Sequence, residues 1–285
     1  MLKKHGKIKK VFILIFAITS ISSFCIWQNN DIVATQSDYI NSKIPDEFNG
    51  FKIVQISDLH NKRFGKNQKN LLQKIEEVSP DIIVITGDLI DRRRYDLDTA
   101  IIFIKGAMEI APIYYVSGNH EAWSNDYKNI SQRLLDCGVH ILDDEKIKLI
   151  KNQAKIEILG LSDPDFLTSG YMEGTDISKL KEHLTHFSDD SIFQILLCHR
   201  PELFNLYVDE SIDLIFCGHA HGGQFRIPFI GGLVAPDQGL FPKYTSGSHM
   251  KNQSTMFVSR GLGNSIIPVR IFNRPEIVVV TLQSQ

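Results

Sequence analysis

The side chains with the clearest capacity for chemistry are aspartates, an asparagine and histidines that each follow a short apolar run. Asp58-Leu59-His60 and His219-Ala220-His221 each hold two such side chains two positions apart, which places both on one side of an extended segment. Divalent metals bind carboxylate oxygens and imidazole nitrogens, and an asparagine adds a neutral amide oxygen. The pattern predicts a metal centre with the candidate ligands Asp58, His60, Asp88, Asn119, His199, His219 and His221.

Each fragment taken alone also has an ordinary structural interpretation. The sequence from Gly87 to Asp91 fits a strand followed by a helix cap, and the sequence from Gly118 to Glu121 fits a turn. Five such fragments in order, each directly after an apolar run, favour one shared site over coincidence.

The apolar runs that precede the fragments are short and rich in β-branched residues, as expected of buried strands. About nine runs of this kind occur between residues 51 and 282, and helical patterns lie at 67–80, 100–110, 127–137 and 177–187. Alternating strands and helices predict an α/β domain with its functional side chains on loops that follow strands. This number of strands favours two sheets packed between helix layers.

The ordered series of fragments resembles the calcineurin-like metallophosphoesterase superfamily. The resemblance covers residues 51 to 221, and no ligand of the family pattern is substituted. It implies a four-layer α/β/β/α sandwich and a hydrolase that cleaves phosphate esters.

The same resemblance implies a role for each candidate residue. One divalent metal would be held by Asp58, His60, Asp88 and His221, and a second by Asp88, Asn119, His199 and His219. The shared Asp88 would bridge the two ions, for which Mn, Fe and Zn are the expected identities. A water activated between the metals would attack phosphorus. His120, beside Asn119, would be catalytic, because it can stabilise the phosphoryl oxygens or protonate the leaving group.

A narrower resemblance extends the match to about residues 48 to 282. It rests on Gly218–Gln224, on Ser259–Gly263 and on Ile271–Glu276. These segments are similar to a bacterial membrane-associated branch with YaeI-like and YkuE-like phosphodiesterases and alternative UDP-2,3-diacylglucosamine pyrophosphatases. That similarity implies a phosphodiester or pyrophosphate substrate, linked to a lipid or to the cell envelope. A phosphomonoesterase, including a protein phosphatase, and a catalytically idle metal-binding module are the alternatives.

The amino terminus predicts contact with a membrane. Residues 1–10 carry five lysines and no acid, and residues 11–27 carry no charge. The apolar run is interpreted as a transmembrane anchor, with a cleaved signal peptide as the alternative. Lysines inside the cell would place a polar linker, 28–47, and a catalytic domain, 48–285, outside the cytoplasm. Such a linker would permit membrane proximity without enforcing an orientation.

Charge and composition limit the classes of partner that the chain is expected to bind. Without its first ten residues the chain has 26 basic and 33 acidic residues, which disfavours nucleic acid as a partner. We expect a monomer that acts on a phosphate-containing small molecule or lipid. Arg200 is a candidate substrate contact, because it follows His199. The apolar residues 225–250 predict either a substrate wall or membrane-facing lip, or a loop packed over the sheets.

Overall fold

A computed structural model describes residues 2–167, 177–264 and 268–285, with side chains from residue 9 onward. The chain begins with helix α1 (Leu2–Asn30). Within it, Lys9–Asn30 is long and apolar enough to cross a membrane, and 6% of its most apolar window is buried against the protein. The apolar run predicted at 11–27 therefore lies inside one longer helix.

The first sheet has six strands and carries three of the candidate ligand loops. In spatial order its strands are β1 (Val33–Ile40), β16 (Glu276–Gln283), β2 (Lys52–Ile56), β3 (Ile82–Thr86), β4 (Ile113–Val116) and β5 (His140–Ile141). Strands β2 to β5 are parallel to one another, and β16 is antiparallel to β2 and parallel to β1. Because β2, β3 and β4 run in one direction, the loops after them meet at one edge of the sheet.

The second sheet also has six strands. In spatial order they are β14 (Gly247–Lys251), β15 (Ser254–Val258), β9 (Leu214–Cys217), β8 (Gln194–Leu197), β7 (Ala154–Gly160) and β6 (Lys146–Lys151). The four central strands are parallel, and the two edge strands are antiparallel to their neighbours. The loops after β8 and β9 therefore also share one edge, and they carry the remaining candidate ligands.

Three apolar cores separate four layers. The central core lies between the sheets and contains side chains such as Ile53, Val84, Ile195 and Phe216. The outer face of the first sheet is covered by α2 (Lys69–Val78), α3 (Leu97–Met108) and α4 (Tyr127–Asp136), whose apolar faces form the second core. The third core joins the second sheet to α5 (Ser178–Phe187) and α6 (Phe204–Asp209). The predicted α/β/β/α sandwich is confirmed.

The segment that was expected to be an irregular linker, 28–47, is structured instead. Its residues Val33–Ile40 form β1, which pairs with β16 over eight residues at the edge of the first sheet. The sequence signal is weak because β1 has only one neighbouring strand, and Tyr39 is its one buried residue. Two residues separate α1 from this strand, so the helix is joined closely to the sandwich.

The apolar stretch 225–250 contains two short hairpins. Strands β10 (Arg226–Ile227) and β11 (Gly231–Gly232) form the first, and β12 (Val234–Ala235) and β13 (Gly239–Leu240) form the second. Both follow the last candidate metal ligand along the chain. They project from the sandwich rather than pack wholly over it, because Phe229, Ile230, Leu240 and Phe241 are exposed.

Candidate metal centre

The two sheets bring all seven candidate ligands to one place. Asp58, Asp88 and Asn119 follow β2, β3 and β4, whereas the candidate histidines of the second sheet follow β8 and β9. Every one of the seven residues is buried, and none exposes more than 4% of its surface: Asp58, His60, Asp88, Asn119, His199, His219 and His221. The predicted convergence is therefore present in the fold.

Unusual backbone conformations turn these side chains inward. The φ angles of five candidate ligands are positive, in the left-handed region that non-glycine residues rarely adopt: Asp58, His60, Asp88, His219 and His221. Backbone strain of this kind costs on the order of 1–3 kcal/mol per residue and persists where the surrounding structure enforces it. The strained backbone of these loops therefore points the candidate ligand side chains toward one another.

The first set of donor atoms comprises one atom from each of Asp58, His60, Asp88 and His221, all within 4.8 Å of one another. The Nε2 atoms of His60 and His221 are 3.0 Å apart. Nε2 of His60 lies 3.5 Å from Oδ2 of Asp88, and Nε2 of His221 lies 3.3 Å from Oδ1 of Asp58. This is the ligand set that the sequence resemblance implies for the first metal.

The second set of donor atoms surrounds Nε2 of His199. This nitrogen lies 3.0 Å from Oδ1 of Asn119, 3.2 Å from Nδ1 of His219 and 3.3 Å from Oδ2 of Asp88. Nδ1 of His199 lies 2.7 Å from the carbonyl oxygen of Thr86, to which it donates, and this bond leaves Nε2 as the ring nitrogen that faces the other donor atoms. Oδ2 of Asp88 thus faces both sets.

The protonation of the site suits cations. Burial lowers the pKa of His60 to about 3 and that of His219 to about 4, so both imidazoles are neutral and keep a lone pair. Burial opposes the charged form of His199, but the charge of Asp88 outweighs it and raises the pKa of His199 to about 10. The carboxylates therefore attract positive charge to the centre, and the buried Asp/His cluster is suited to two divalent metal ions.

Two glycines allow the ligand loops to approach one another. A Cβ atom on Gly118 would lie 2.3 Å from Oδ1 of Asp88, and a Cβ atom on Gly218 would lie 1.9 Å from Oγ of Ser57. Ser57 in turn donates a hydrogen bond of 2.6 Å to Oδ2 of Asp58. A larger residue at either glycine would displace a carboxylate of the first donor set.

Glu121 ties two ligand loops together, a role that the sequence analysis did not assign. Its carboxylate accepts hydrogen bonds from the backbone N–H groups of Asp88 and Gly118 at 2.8 Å and of Ile90 at 3.1 Å. Burial and the neighbouring charge of Asp88 raise the pKa of Glu121, and these three donors oppose that effect by stabilising the carboxylate. The side chain fixes the loop after β3 relative to the loop after β4.

His120 lies beside the donor atoms without belonging to either set. Its ring contacts the ring of His60 edge-to-face with 4.4 Å between centroids. The backbone N–H of Arg92 donates to Nδ1 of His120 at 3.2 Å, and Asp91 lies 3.6 Å from the same nitrogen. Because Nδ1 accepts this bond, the proton of the neutral ring is on Nε2.

The guanidinium of Arg200 is bonded by three carboxylates and lies 3.1 Å from Nε2 of His219. It bonds to Asp163 at 2.7 and 2.9 Å, to Asp165 at 2.7 Å and to Asp237 at 2.6 Å. Asp237 also accepts a hydrogen bond of 2.9 Å from Nε2 of His219. None of these three acidic partners was anticipated, because they lie at least 35 residues from Arg200 along the chain. A substrate contact by Arg200 stays a prediction.

Comparison with known proteins places this site in a family context. Residues 51–223 match the family model described as calcineurin-like phosphoesterase. Over 277 residues the chain is 32% identical to the metallophosphoesterase YkuE of Bacillus subtilis, and the alignment covers 89% of this chain and 86% of the relative. It is also 26% identical over 240 residues to the phosphodiesterase YaeI of Escherichia coli, with 81% and 82% covered.

Two further similarities are to a protein described as transmembrane and to a solved structure. A Danio rerio protein described as a transmembrane protein with a metallophosphoesterase domain is 26% identical, with 85% of this chain and 55% of the relative covered. The structure of TT1561 from Thermus thermophilus superposes with a TM-score of 0.50 at 13% identity, over 74% of this chain and 90% of the other. The second likeness concerns the fold alone.

Proposed function

Because the chain belongs to the calcineurin-like phosphoesterase family and is a phosphoesterase hydrolase, we propose that it is a binuclear metal-dependent enzyme that cleaves a phosphodiester or pyrophosphate bond. The observation that carries the proposal is Oδ2 of Asp88, which faces Nε2 of His60 at 3.5 Å and Nε2 of His199 at 3.3 Å. One carboxylate between two donor sets is what a pair of adjacent cations requires to reduce their repulsion.

The protein supplies the two donor sets, and the metals supply the charge. Two divalent ions, of Mn, Fe or Zn, provide positive charge for the phosphate and a nucleophilic water at neutral pH when they are bound. Asp58, His60, Asp88 and His221 would hold one ion, and Asp88, Asn119, His199 and His219 would hold the other. Ser57 and Glu121 keep the carboxylates and their loops in place, so that little reorganisation accompanies the reaction.

His120 is the residue we propose to act on the leaving group. Burial lowers its pKa, so the ring is neutral at neutral pH and carries its proton on Nε2. This N–H can donate a hydrogen bond to a phosphoryl oxygen. The imidazolium form, which the charges of Asp88 and Asp91 favour, can give its proton to the departing oxygen and return to the neutral ring. This role suits an alkoxide leaving group, which needs a proton more than a phenolate does.

A diester or pyrophosphate is favoured over a monoester by similarity. The relative YaeI is described as a phosphodiesterase, and it aligns with more than four fifths of this chain. A phosphomonoesterase would use the same two metals, so the choice rests on a comparison of substrates.

We further propose that α1 is a membrane anchor and that residues 28–285 lie outside the cytoplasm. The apolar part of α1 follows five lysines, which would remain on the cytoplasmic side of a membrane. Alkaline phosphatase fused after residue 285 should be active in intact bacteria, since that reporter folds only outside the cytoplasm. An inactive alkaline phosphatase reporter, together with fluorescence from a cytoplasmic reporter fused at the same position, would show that residues 28–285 lie in the cytoplasm.

The reaction is tested on the full chain purified in detergent and stripped of metal with a chelator. Bis(p-nitrophenyl) phosphate, p-nitrophenyl phosphate and a lipid-linked pyrophosphate are then compared with and without Mn²⁺. The proposal expects turnover of the diester or pyrophosphate that appears only with metal. Faster turnover of the monoester would identify a phosphomonoesterase, and no metal-dependent turnover of any substrate would favour an idle metal-binding module.

A further inference from the structure

The two hairpins that follow the metal ligands expose an unusual number of large apolar side chains. We define the apolar lip as the exposed side chains of these hairpins and the residue after them: Ile227, Phe229, Ile230, Leu240 and Phe241. Phe229 is 109% exposed at the tip of the first hairpin, and Leu240 is 73% exposed. Exposed apolar patches next to a functional site commonly mark a surface that contacts a partner or a membrane.

The backbone holds the aromatic members of the lip outward against a conformational cost. Phe229 has a φ of 69° and Phe241 a φ of 51°, both in the left-handed region. Such conformations are outliers for bulky side chains and indicate a functional constraint when they persist. Both rings project into solvent, so the strain is not offset by packing within the described part of the protein.

One segment joins the root of the lip to the membrane helix. Phe225 pairs with Ile271, and the N–H of Arg226 donates to the carbonyl of Ile271 at 3.1 Å. The next residue, Phe272, is exposed, and its ring contacts the ring of Phe24 in α1 with 5.7 Å between centroids. The lip and the end of the predicted anchor therefore lie on the same side of the sandwich.

The helix is docked onto the domain rather than tethered flexibly. Oδ1 of Asn29 accepts a hydrogen bond of 3.1 Å from the N–H of Arg270, and its carbonyl accepts one from Lys62. Arg274 pairs with Asp31 and lies 5.1 Å from the centre of the Trp27 ring. Because α1 is fixed to the domain, the direction of α1 in the membrane would set the orientation of the whole catalytic domain.

From this geometry we propose that the apolar lip inserts into the head-group region of the bilayer that holds α1, and that helix and lip together seat the domain on the membrane surface. The inference rests on the membrane anchor of the proposed function, but not on the reaction. Trp favours the interface between lipid and water, and exposed Phe and Leu side chains of interfacial segments bury at the boundary of head groups and acyl chains, which is where Trp27 and the lip would lie. The occupant of the lip is thus the bilayer, not a second protein.

This seating would place the metal centre beside the lipid head groups. The first hairpin begins two residues after Gln224, whose carbonyl is bonded by Asn273, and Asn273 also bonds the carbonyl of the ligand His221. In the second hairpin, Asp237 contacts the ligand His219. The second hairpin therefore contacts the site through Asp237, and both hairpins would contact the membrane through their apolar residues.

The test measures depth in the membrane, not catalysis. Full-length Phe229→Trp and Phe241→Trp variants are placed in nanodiscs made with brominated phosphatidylcholine, which quenches only tryptophans at bilayer depth. The matched control is Ile150→Trp, because Ile150 is 73% exposed but lies on an edge strand, paired with Lys155 near the opposite end of the second sheet. After subtraction of the parent signal, we expect at least threefold greater quenching at positions 229 and 241 than at 150.

The possible outcomes test insertion of the lip separately from insertion of α1. Comparison of the parent protein with Trp27→Phe reports whether α1 is inserted: unquenched Trp27 contradicts the anchor and the seating with it. If Trp27 is quenched but the tryptophans at positions 229 and 241 are quenched no more than the one at position 150, insertion of the lip is contradicted and the anchor stands. Protection of those two positions from aqueous iodide without lipid quenching would assign the lip to a protein contact, and would also overturn the proposal. Catalytic activity plays no part in the readout.

Discussion

Asp237 accepts a hydrogen bond of 2.9 Å from Nε2 of His219, so a hairpin outside both sheets orients a predicted metal ligand. With its proton on Nε2, His219 presents the lone pair of Nδ1 to the second donor set, where Nε2 of His199 lies 3.2 Å away. The hydrogen bond with His219 lowers the pKa of Asp237 to about 2, so Asp237 is a carboxylate at neutral pH. A carboxylate behind a ligand histidine raises its basicity and fixes its ring.

Replacing Asp237 with Asn should therefore weaken binding of the metal at the second donor set and leave binding at the first donor set unchanged. We expect a loss of about 10–100-fold in affinity for the second ion, the usual effect of removing such a partner. Asp165→Asn is the control, because Asp165 bonds Arg200 at 2.7 Å, whereas His219 is bonded by Asp237. Competition with a fluorescent chelator measures both affinities, and equal losses in the two variants would contradict an orienting role for Asp237.

The shared position of Asp88 predicts a distinctive metal stoichiometry. His221→Ala should retain the second ion and bind about one metal per chain, because His221 contributes only to the first donor set. His219→Ala should likewise retain one ion at the first set. Asp88→Asn should lose both, since Oδ2 of Asp88 faces both sets. Elemental analysis of the folded variants measures the number of metals bound per chain. Retention of one metal by Asp88→Asn would contradict a bridging role for Asp88.

His120→Ala should reduce turnover by about 10²–10⁴-fold and leave two metals bound, because the side chain acts as a proton donor and not as a ligand. The loss should be larger for an alkyl leaving group than for p-nitrophenolate, which departs without protonation. A steeper dependence of rate on leaving-group pKa in the variant is the measurement. Loss of both metals from His120→Ala would show that the residue holds the centre together instead.

Local sequence patterns were sufficient for most of the fold and for the convergence of the ligands. The strands that end near Asp58, Asp88 and Asn119 are predominantly apolar, because both faces of their sheet are buried. The helical patterns at 67–80 and 127–137 correspond to the observed helices Lys69–Val78 and Tyr127–Asp136. Polar residues at successive strand ends then meet because the strands are parallel.

The features that were missed depend on contacts between distant residues. Val33–Ile40 pairs on one side only, so its polar sequence gave no continuous apolar signal. Asp237 lies in an apolar stretch, and only the fold brings it to His219. The rigid attachment of α1 depends on Asn29 and Arg270, which are 241 residues apart. No local pattern encodes partners at such separations.

Glu121→Gln tests whether a buried carboxylate holds the ligand loops in register. An amide of the same size presents an NH₂ group to backbone donors that now bond to a carboxylate, which leaves at least one of them unpaired. That costs about 1–3 kcal/mol. We expect a lower melting temperature in detergent and weaker binding of both metals. Glu76→Gln on the exposed face of α2 is the control, and equal melting temperatures for the two variants would contradict the role of Glu121.

The apolar lip should affect lipid substrates and leave soluble ones unaffected. In Phe229→Ser with Phe241→Ser, the metal ligands and His120 are untouched, so kcat/KM for bis(p-nitrophenyl) phosphate should stay within about twofold of the parent, less than about 0.5 kcal/mol. For a lipid-linked pyrophosphate in vesicles we expect KM to rise about tenfold, because the head group is no longer presented beside the site. Ile150→Ser removes an equally exposed apolar side chain elsewhere and should change neither value. Equal losses on the lipid and the soluble substrate would mean that the lip supports the structure of the site rather than its access to the membrane.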